Sequence, residues 1–243
     1  MHLIKLNAID STNSYLRKRY LDGDLQDFTV VSAAEQTSGR GQMGTVWESD
    51  PGKNLMLSVF KKIDCLAIEQ QFYVSMASSL AVLKTLKKKQ IPSLSVKWPN
   101  DILSDNRKIC GVLIESIIRK QKLDAIIVGI GLNVNQTTFN KNFPASSLKN
   151  LTGVNYNLDE VLHDLLEEVK HYVSLLVESK LDEISQEYHQ HLFRKEKPST
   201  FKDQNDNLIM GFIKGVSNSG RLQVLLEDEV LKEFDMKEIK LMY

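Results

Sequence analysis

Apolar and polar positions along this chain are spaced first as strands and helices in turn, then as short strands alone. Met1 to Ile9 alternates enough to predict a first strand. Asp10-Ser11-Thr12-Asn13 offers several N-cap oxygens before an amphipathic run from Tyr15 to Leu21, the pattern of a short helix. Thr29 to Ala34 predicts a buried strand feeding a glycine-rich loop, Thr37 to Thr45, and Asn54 to Phe60 predicts a second buried strand. From Ile68 to about Lys89 there is no Gly or Pro. Apolar residues there recur at three-and-four spacing and lysines gather where the helix dipole favours cations, so a long helix is expected. Ser95 to Trp98 is a short strand stopped by Pro99. Ile109 to Ile118 and Leu123 to Leu132 flank the polar turn Arg119-Lys120-Gln121-Lys122, which predicts a hairpin. Leu158 to about Phe193 predicts one or two amphipathic helices.

After Lys197-Pro198 the pattern changes to short strands between Asp, Asn and Gly turns: Phe201, Leu208 to Val216, Leu222 to Leu226, Val230 to Phe234 and Ile239 to Leu241. A small all-β barrel of about 45 residues is expected, too small for much core of its own and therefore docked on the rest. The chain thus divides into a main α+β domain, 1–195, and a C-terminal β domain, 196–243, with no internal repeat.

Composition narrows the function classes. With 31 basic and 31 acidic side chains the formal net charge is zero. No large positive footprint for nucleic acid or an anionic membrane is expected from that balance, although a local basic pocket for a nucleotide is compatible with it. No apolar run approaches the roughly 20 residues of a bilayer span. The start is too short and too interrupted for a signal peptide. Two distant cysteines, Cys65 and Cys110, fit reduced thiols, so a cytoplasmic protein is expected.

Four segments carry candidate chemistry. Gly39-x-Gly41-x-x-Gly44 matches the dinucleotide fingerprint, but Thr45 to Gly52 cannot open the helix that fingerprint requires. It reads instead as a loop whose backbone N–H groups and the Arg40 guanidinium close over an anion, or as a plain surface turn. Lys97-Trp98-Pro99-Asn100-Asp101, followed by Arg107-Lys108-Ile109-Cys110-Gly111, sets two lysines and an Asn-Asp pair at neighbouring strand ends. Two ammonium groups there suit a triphosphate meeting a carboxylate; a solvated β-turn is the bland alternative. Gly129 and Gly131 bare one face of a strand that ends in Asn133-Val134-Asn135, whose amides suit a base or ribose; tight helix packing explains the glycines equally well. In Asp10-Ser11-Thr12-Asn13, one oxygen caps a helix and the others remain free for a ligand. The histidines, among them Glu160-x-x-His163, lack the spacing of a zinc site, so no protein-held metal is expected. Cys110 beside Lys108 could be a thiolate, although a buried strand cysteine is the more common case.

The order of these segments, Asp10-Ser-Thr-Asn13, Glu35-Gln36-x-x-Gly39-Arg40-Gly41, Trp47, Lys97-Trp-Pro-Asn-Asp101, Arg107-Lys108-x-x-Gly111 and Gly129-Ile-Gly131-x-Asn133, closely resembles the biotin–protein ligases over essentially the whole chain. The resemblance implies a mixed sheet flanked by helices, related to class II aminoacyl-tRNA synthetases, followed by an SH3-like β-barrel. It implies that the chain forms biotinyl-5′-AMP and pyrophosphate from biotin, ATP and Mg²⁺, then transfers biotin to a lysine of a biotin carboxyl carrier domain of a carboxylase. Ser11, Thr12, Asn13 and Gln36 match positions lining the biotin pocket. Gly39, Arg40, Gly41 and Gln42 fall in the loop over the adenylate, with Trp47 beyond it. Lys97 matches a phosphate-contacting lysine, and Lys108 the lysine between biotin carboxylate and α-phosphate. Asp101, beside Asn100, takes a polar role near the phosphates and the acceptor lysine, as a metal ligand or as an orienting base; Gly111, Gly131 and Asn133 complete the nucleotide side.

Two departures stand out. Some members read Gly-Arg-Gly-Arg-Arg-Gly where this chain has Gln42-Met43; the loss of two positive charges either weakens retention of the adenylate or leaves that task to Arg40 and Lys108. Members that repress transcription carry a winged helix before the first catalytic strand; Met1 opens almost directly onto that strand, so no DNA-binding role is expected. A monomer or homodimer fits equally. The competing readings are a lipoate ligase or octanoyl transferase of the related fold, and a non-catalytic biotin sensor.

Overall fold

The computed structural model describes residues 1–140 and 144–243. The strands are β1 (His2–Ile9), β2 (Thr29–Gln36), β3 (Leu55–Lys62), β4 (Leu94–Lys97), β5 (Asp101–Ser104), β6 (Arg107–Arg119), β7 (Lys122–Leu132), β8 (Pro198–Asp203), β9 (Leu208–Val216), β10 (Leu222–Leu226), β11 (Leu231–Phe234) and β12 (Ile239–Met242). The helices are α1 (Thr12–Leu21), α2 (Phe72–Lys88), α3 (Leu148–Thr152), α4 (Leu158–Val177) and α5 (Leu181–Gln190).

Seven strands form one sheet in the order β1-β2-β3-β7-β6-β5-β4. Only β1 and β2 run parallel; the other neighbours are antiparallel. β3 explains why the sheet needs cover on both faces, because every residue from Leu55 to Phe60 is buried. Val59 belongs to the core shared with α2 and α4, whereas Phe60 packs with Leu16 of α1 and with Val31, Ala125 and Ile127 on the opposite face. α2 is buried from Phe72 to Leu83 without a break, as expected of a helix enclosed by the sheet on one side and α4 and α5 on the other. It begins later than the apolar pattern implies. Ile68–Gln70 is a 3₁₀ turn in which the Gln70 side chain accepts the Ala67 N–H at 3.1 Å, so the apolar spacing runs through a turn that is not yet helix.

The long hairpin is present, with β6 and β7 joined through Lys120 and Gln121, both at positive φ (48° and 60°). That two-residue geometry matches the right-handed twist of the strands. A second tight hairpin was hidden in the sequence. β5 is only four residues long and joins β6 through Asp105 and Asn106, at φ 45° and 63°. Its polar ends make Asn100 to Arg107 resemble one long turn.

The C-terminal strands form an antiparallel five-stranded sheet, β11-β10-β9-β8-β12. This corrects the expectation of a closed barrel, because no pairing joins β11 to β12 among the described residues. The sheet is docked as expected of so small a unit. Phe201, Ile213, Val216, Leu222, Val224, Phe234 and Ile239 join the same core as α2 and α4 instead of forming a separate one. Polar contacts pin the junction. Trp98 Nε1 donates to the Gly220 carbonyl at 2.9 Å, and Tyr73 Oη donates to Asn218 Oδ1 at 2.9 Å.

Candidate active site

A cavity of about 300 Å³ opens over the β3, β7 and β6 face beside the start of α1. One end is neutral and rich in hydrogen bonds. Ser11 is the N-cap of α1, accepting the Ser14 N–H, which leaves Thr12 and Asn13 to face the sheet. The Thr12 N–H and hydroxyl both donate to Gln36 Oε1, at 2.8 and 3.0 Å. Ser58 Oγ lies 2.7 Å from Thr12 Oγ1 and 2.5 Å from Asn13 Oδ1. Thr12, Asn13 and Ser58 are all buried, so this network is held in a fixed orientation. Gly129 makes room for it: a Cβ there would sit 2.5 Å from Asn13 Oδ1.

The other end is charged. Lys108, at the start of β6, pairs with Asp101, at the start of β5, at 2.6 Å. The Lys108 ammonium also lies 5.5 Å from the centre of the Trp47 ring. Trp47 in turn lies against the bare backbone of Gly111 and Gly131; a Cβ on Gly131 would come within 2.5 Å of the indole. The buried indole N–H has no acceptor among the described residues, so a donor is left at the cavity wall.

Between the two ends stands the glycine-rich segment, which folds as a small hairpin. Arg40 bridges to Val46 across it. The Gly41 N–H donates to the Thr45 carbonyl at 2.7 Å, and the Trp47 N–H to the Gly39 carbonyl at 3.0 Å. A Cβ on Gly39 would come 2.4 Å from the Trp47 carbonyl, so the tight crossing requires glycine. The expected cradle of free backbone N–H groups is therefore not formed by Gly41 and Trp47, whose donors are used within the hairpin. The guanidinium of Arg40 does reach the site, where it pairs with Glu115 at 3.1 Å. Glu115 also accepts from Asn13 Nδ2 at 3.1 Å, which ties the hairpin to the neutral end.

Of the residues expected at a site, Ser11, Thr12, Asn13, Gln36, Arg40, Gly41, Gln42, Trp47, Asn100, Asp101, Lys108, Gly111 and Gly131 line this one cavity. Four stand back from it. Gly39 shapes the hairpin behind the wall. Asn133 is buried, and its amide donates to the Ser146 carbonyl at 3.0 Å; Asn135 is likewise held to the Tyr156 backbone, so these amides order loops instead of facing the cavity. Lys97, in register with Asp101 across β4 and β5, sits one strand further out with its ammonium 4.8 Å from the Tyr243 ring centre. Burial pushes that ammonium below the usual lysine range; Asp101 opposes the fall, and Lys108 and Lys240 add to it. Asn100 lines the wall but is pinned, donating from its side chain to the Val112 carbonyl. Ser58 and Glu115 were missed. Ser58 is a single polar residue between apolar neighbours, and Glu115 with Ser116 a polar pair inside an apolar strand, which is the signal that could have found them. Cys110 is fully buried and burial pushes its thiol well above the usual range, which removes it as a nucleophile.

Residues 6–133 match the model of the Biotin/lipoate A/B protein ligase family. The bifunctional ligase/repressor BirA of Escherichia coli is 28% identical over 97% of this chain and 73% of its own length. BirA of Bacillus spizizenii is 29% identical over 68% of this chain, and the match spans about half, 51%, of that relative's length. Among solved structures, the biotin protein ligase of Aquifex aeolicus in complex with biotin and ATP superposes with a TM-score of 0.83 at 27% identity, covering 99% of this chain and 98% of that one. With more than half of its residues matched by the family model and its candidate site residues gathered around one cavity, the chain belongs to the biotin/lipoate A/B protein ligase family.

Proposed function

We propose that the chain is a biotin–protein ligase that forms biotinyl-5′-AMP and then biotinylates a lysine of a carboxylase's carrier domain. The observation that carries this reading is the polarity of this cavity. A neutral, fully hydrogen-bonded end at Thr12, Asn13, Gln36 and Ser58 suits an uncharged ureido ring, and a Lys108–Asp101 end suits a carboxylate meeting a phosphate. The Aquifex relative, bound to biotin and ATP, supports the same pair of ligands.

In the first step a biotin carboxylate oxygen attacks the α-phosphorus of ATP. The bond to the bridging oxygen breaks, pyrophosphate leaves, and a mixed anhydride remains. Two anions approach each other there, so Lys108 stands between them, with Arg40 at the hairpin and Lys97 toward the outer phosphates. In the second step a neutral lysine amine of the carrier attacks the acyl carbon, AMP leaves with the bonding pair, and the amine loses a proton. The hairpin's place over the cavity shields the anhydride from water meanwhile.

Among the described residues no group of three His, Cys, Asp or Glu could hold a metal by itself. Among the described residues Asp101 is the one carboxylate lining the cavity, which fits an ion carried on phosphates but not a protein cage. Mg²⁺ arriving with ATP would neutralise phosphate charge, with Asp101 the residue to meet it.

The family name also covers lipoate ligases. The buried Cys110 speaks against the transferase variant. No helix among the described residues is long and apolar enough to cross a membrane. Both cysteines are free, which supports a cytoplasmic setting. The deciding experiment incubates the chain with a carboxyl carrier domain, ATP and either biotin or lipoate. A mass increase of one biotin on the carrier, dependent on ATP and on the chain, is expected. Exclusive transfer of lipoate would overturn the reading.

A further inference from the structure

Lys97 lies at the edge of the main sheet, where the C-terminal sheet meets it. Its register partner Asp101 is already engaged by Lys108 at 2.6 Å, so the Lys97 ammonium faces an aromatic ring instead of a carboxylate. That ring belongs to Tyr243, which follows β12. Tyr243 is itself held edge-on to Phe193, with ring centres 5.2 Å apart and planes at 68°. Phe193 in turn donates its N–H to the Val96 carbonyl, directly beside Lys97, so the stack is fastened to the strand it serves.

We propose that Tyr243 is a positioning residue, a ring lent by the C-terminal sheet that holds the Lys97 ammonium toward the phosphate side of the cavity. This rests on the ligase reading given above. The chemistry favours a ring in that place. A carboxylate would cancel the charge that phosphates are to meet, whereas an aromatic face attracts the ammonium through its quadrupole and leaves the full positive charge available. It also restrains a long side chain that otherwise loses rotamer freedom only when ligand arrives. The contact makes the C-terminal sheet part of the nucleotide end of the site, although none of its residues lines the cavity itself.

The test compares Tyr243→Leu, Tyr243→Phe and Lys97→Met, alone and with Tyr243→Leu added to Lys97→Met. Biotin-dependent exchange between ATP and pyrophosphate gives separate KM values. Tyr243→Leu is expected to raise KM for ATP roughly three- to tenfold and to leave KM for biotin unchanged. Tyr243→Phe should behave as the parent, and in the Lys97→Met background Tyr243→Leu should add nothing. Equal effects on both substrates, a Tyr243→Phe as impaired as Tyr243→Leu, or additive losses would overturn the proposal. A second readout does not need activity: competitive acetylation of lysines with trace acetic anhydride, followed by mass spectrometry. Labelling of Lys97 relative to Lys18 should change severalfold in folded Tyr243→Leu and not in Tyr243→Phe; unchanged labelling overturns the positioning role. If the parent shows no biotin-dependent exchange, the ligase reading fails, and the labelling result alone decides what Tyr243 does to Lys97.

Discussion

Lys108 has two partners of different kinds, the Asp101 carboxylate at 2.6 Å and the face of Trp47 at 5.5 Å from the ring centre. Both partners leave the ammonium at the cavity wall, so a ligand carboxylate or phosphate competes for it without rearranging the backbone. Removing the ammonium leaves Asp101 facing the incoming phosphates with its negative charge unanswered. Lys108→Ala is therefore expected to lower the rate of biotinyl-AMP formation by on the order of 10²–10³. The pair is partly exposed, so its loss should change thermal stability little. Pyrophosphate release and a melting curve on the same preparation check both halves; release at the parent's rate would remove Lys108 from the chemistry. Gly129 argues the other end. Its bare α-carbon faces Asn13, and a methyl group there would fall 2.5 Å from Asn13 Oδ1, with Ser58 and Glu115 holding that amide from two other sides. Asn13 has nowhere to retreat. Gly129→Ala is expected to weaken biotin binding about tenfold or more, with nucleotide binding unchanged, and to cost about 1–3 kcal/mol of stability through overpacking. Isothermal titration with biotin and with ATP separates the two effects, and an equal loss for both ligands would count against a biotin end at this place.

The Gly39–Trp47 hairpin shows how an element can be present and still differ from its sequence reading. Glycine spacing alone suggests backbone donors free to wrap an anion, but the same glycines are what allow the two arms to cross so closely that the Gly41 and Trp47 N–H groups donate to carbonyls of the opposite arm. The hairpin's grip on the site then passes to a side chain, Arg40, anchored on Glu115 of β6. Arg40→Ala should release that anchor. It is expected to let biotinyl-AMP escape several times faster, seen as biotinylation of bystander lysines on an added unrelated protein; unchanged retention would leave the hairpin without a role in sequestering the intermediate. The elements that carried strong periodicity, α2, β6 with β7 and the C-terminal strands, were legible, because amphipathic spacing records which face is buried. β5 was not, since four residues between polar turns are too few to show a period. The candidate site was legible at positions whose residue types are chemically unusual for their surroundings, such as Asn100-Asp101 and Lys108. It was not legible at Asn133 and Asn135, where an amide that ties down a loop and an amide that meets a base read identically until the partners are seen. Nor could periodicity report that Lys97 would end one strand away from the cavity, because that depends on how β4 lies at the sheet edge.

At the scale of the molecule, two sheets share one core, and this has a thermodynamic consequence. The free edge of β4 is bonded by His191 and Phe193, with Tyr243 reaching Lys97 beside them, and the buried residues of the C-terminal sheet, Phe201, Ile213, Val224 and Phe234 among them, are continuous with those of α2 and α4. A unit of about 45 residues buries too little apolar surface to be stable alone, so it should be ordered only while docked. The junction adds directional contacts to this shared burial. They include Trp98 Nε1 to the Gly220 carbonyl, Tyr73 to Asn218, and His189, whose ring accepts the Val216 N–H at 2.8 Å from across the gap. Gly220 is also pressed against Phe72, with a Cβ there 2.5 Å from its ring, so the loop that receives the Trp98 hydrogen bond has little freedom to move aside. The two sheets are therefore expected to melt together, in one calorimetric transition whose van't Hoff and calorimetric enthalpies agree. Trp98→Phe keeps the apolar ring but leaves the Gly220 carbonyl without its donor. It should cost about 1 kcal/mol, a fall in Tm of roughly 2–4 °C for a chain of this length, while the transition stays single. If the melt instead resolves into two steps, in the parent or in the variant, the C-terminal sheet is holding itself together, and the continuity of the core would have to be understood as contact between two separately stable units.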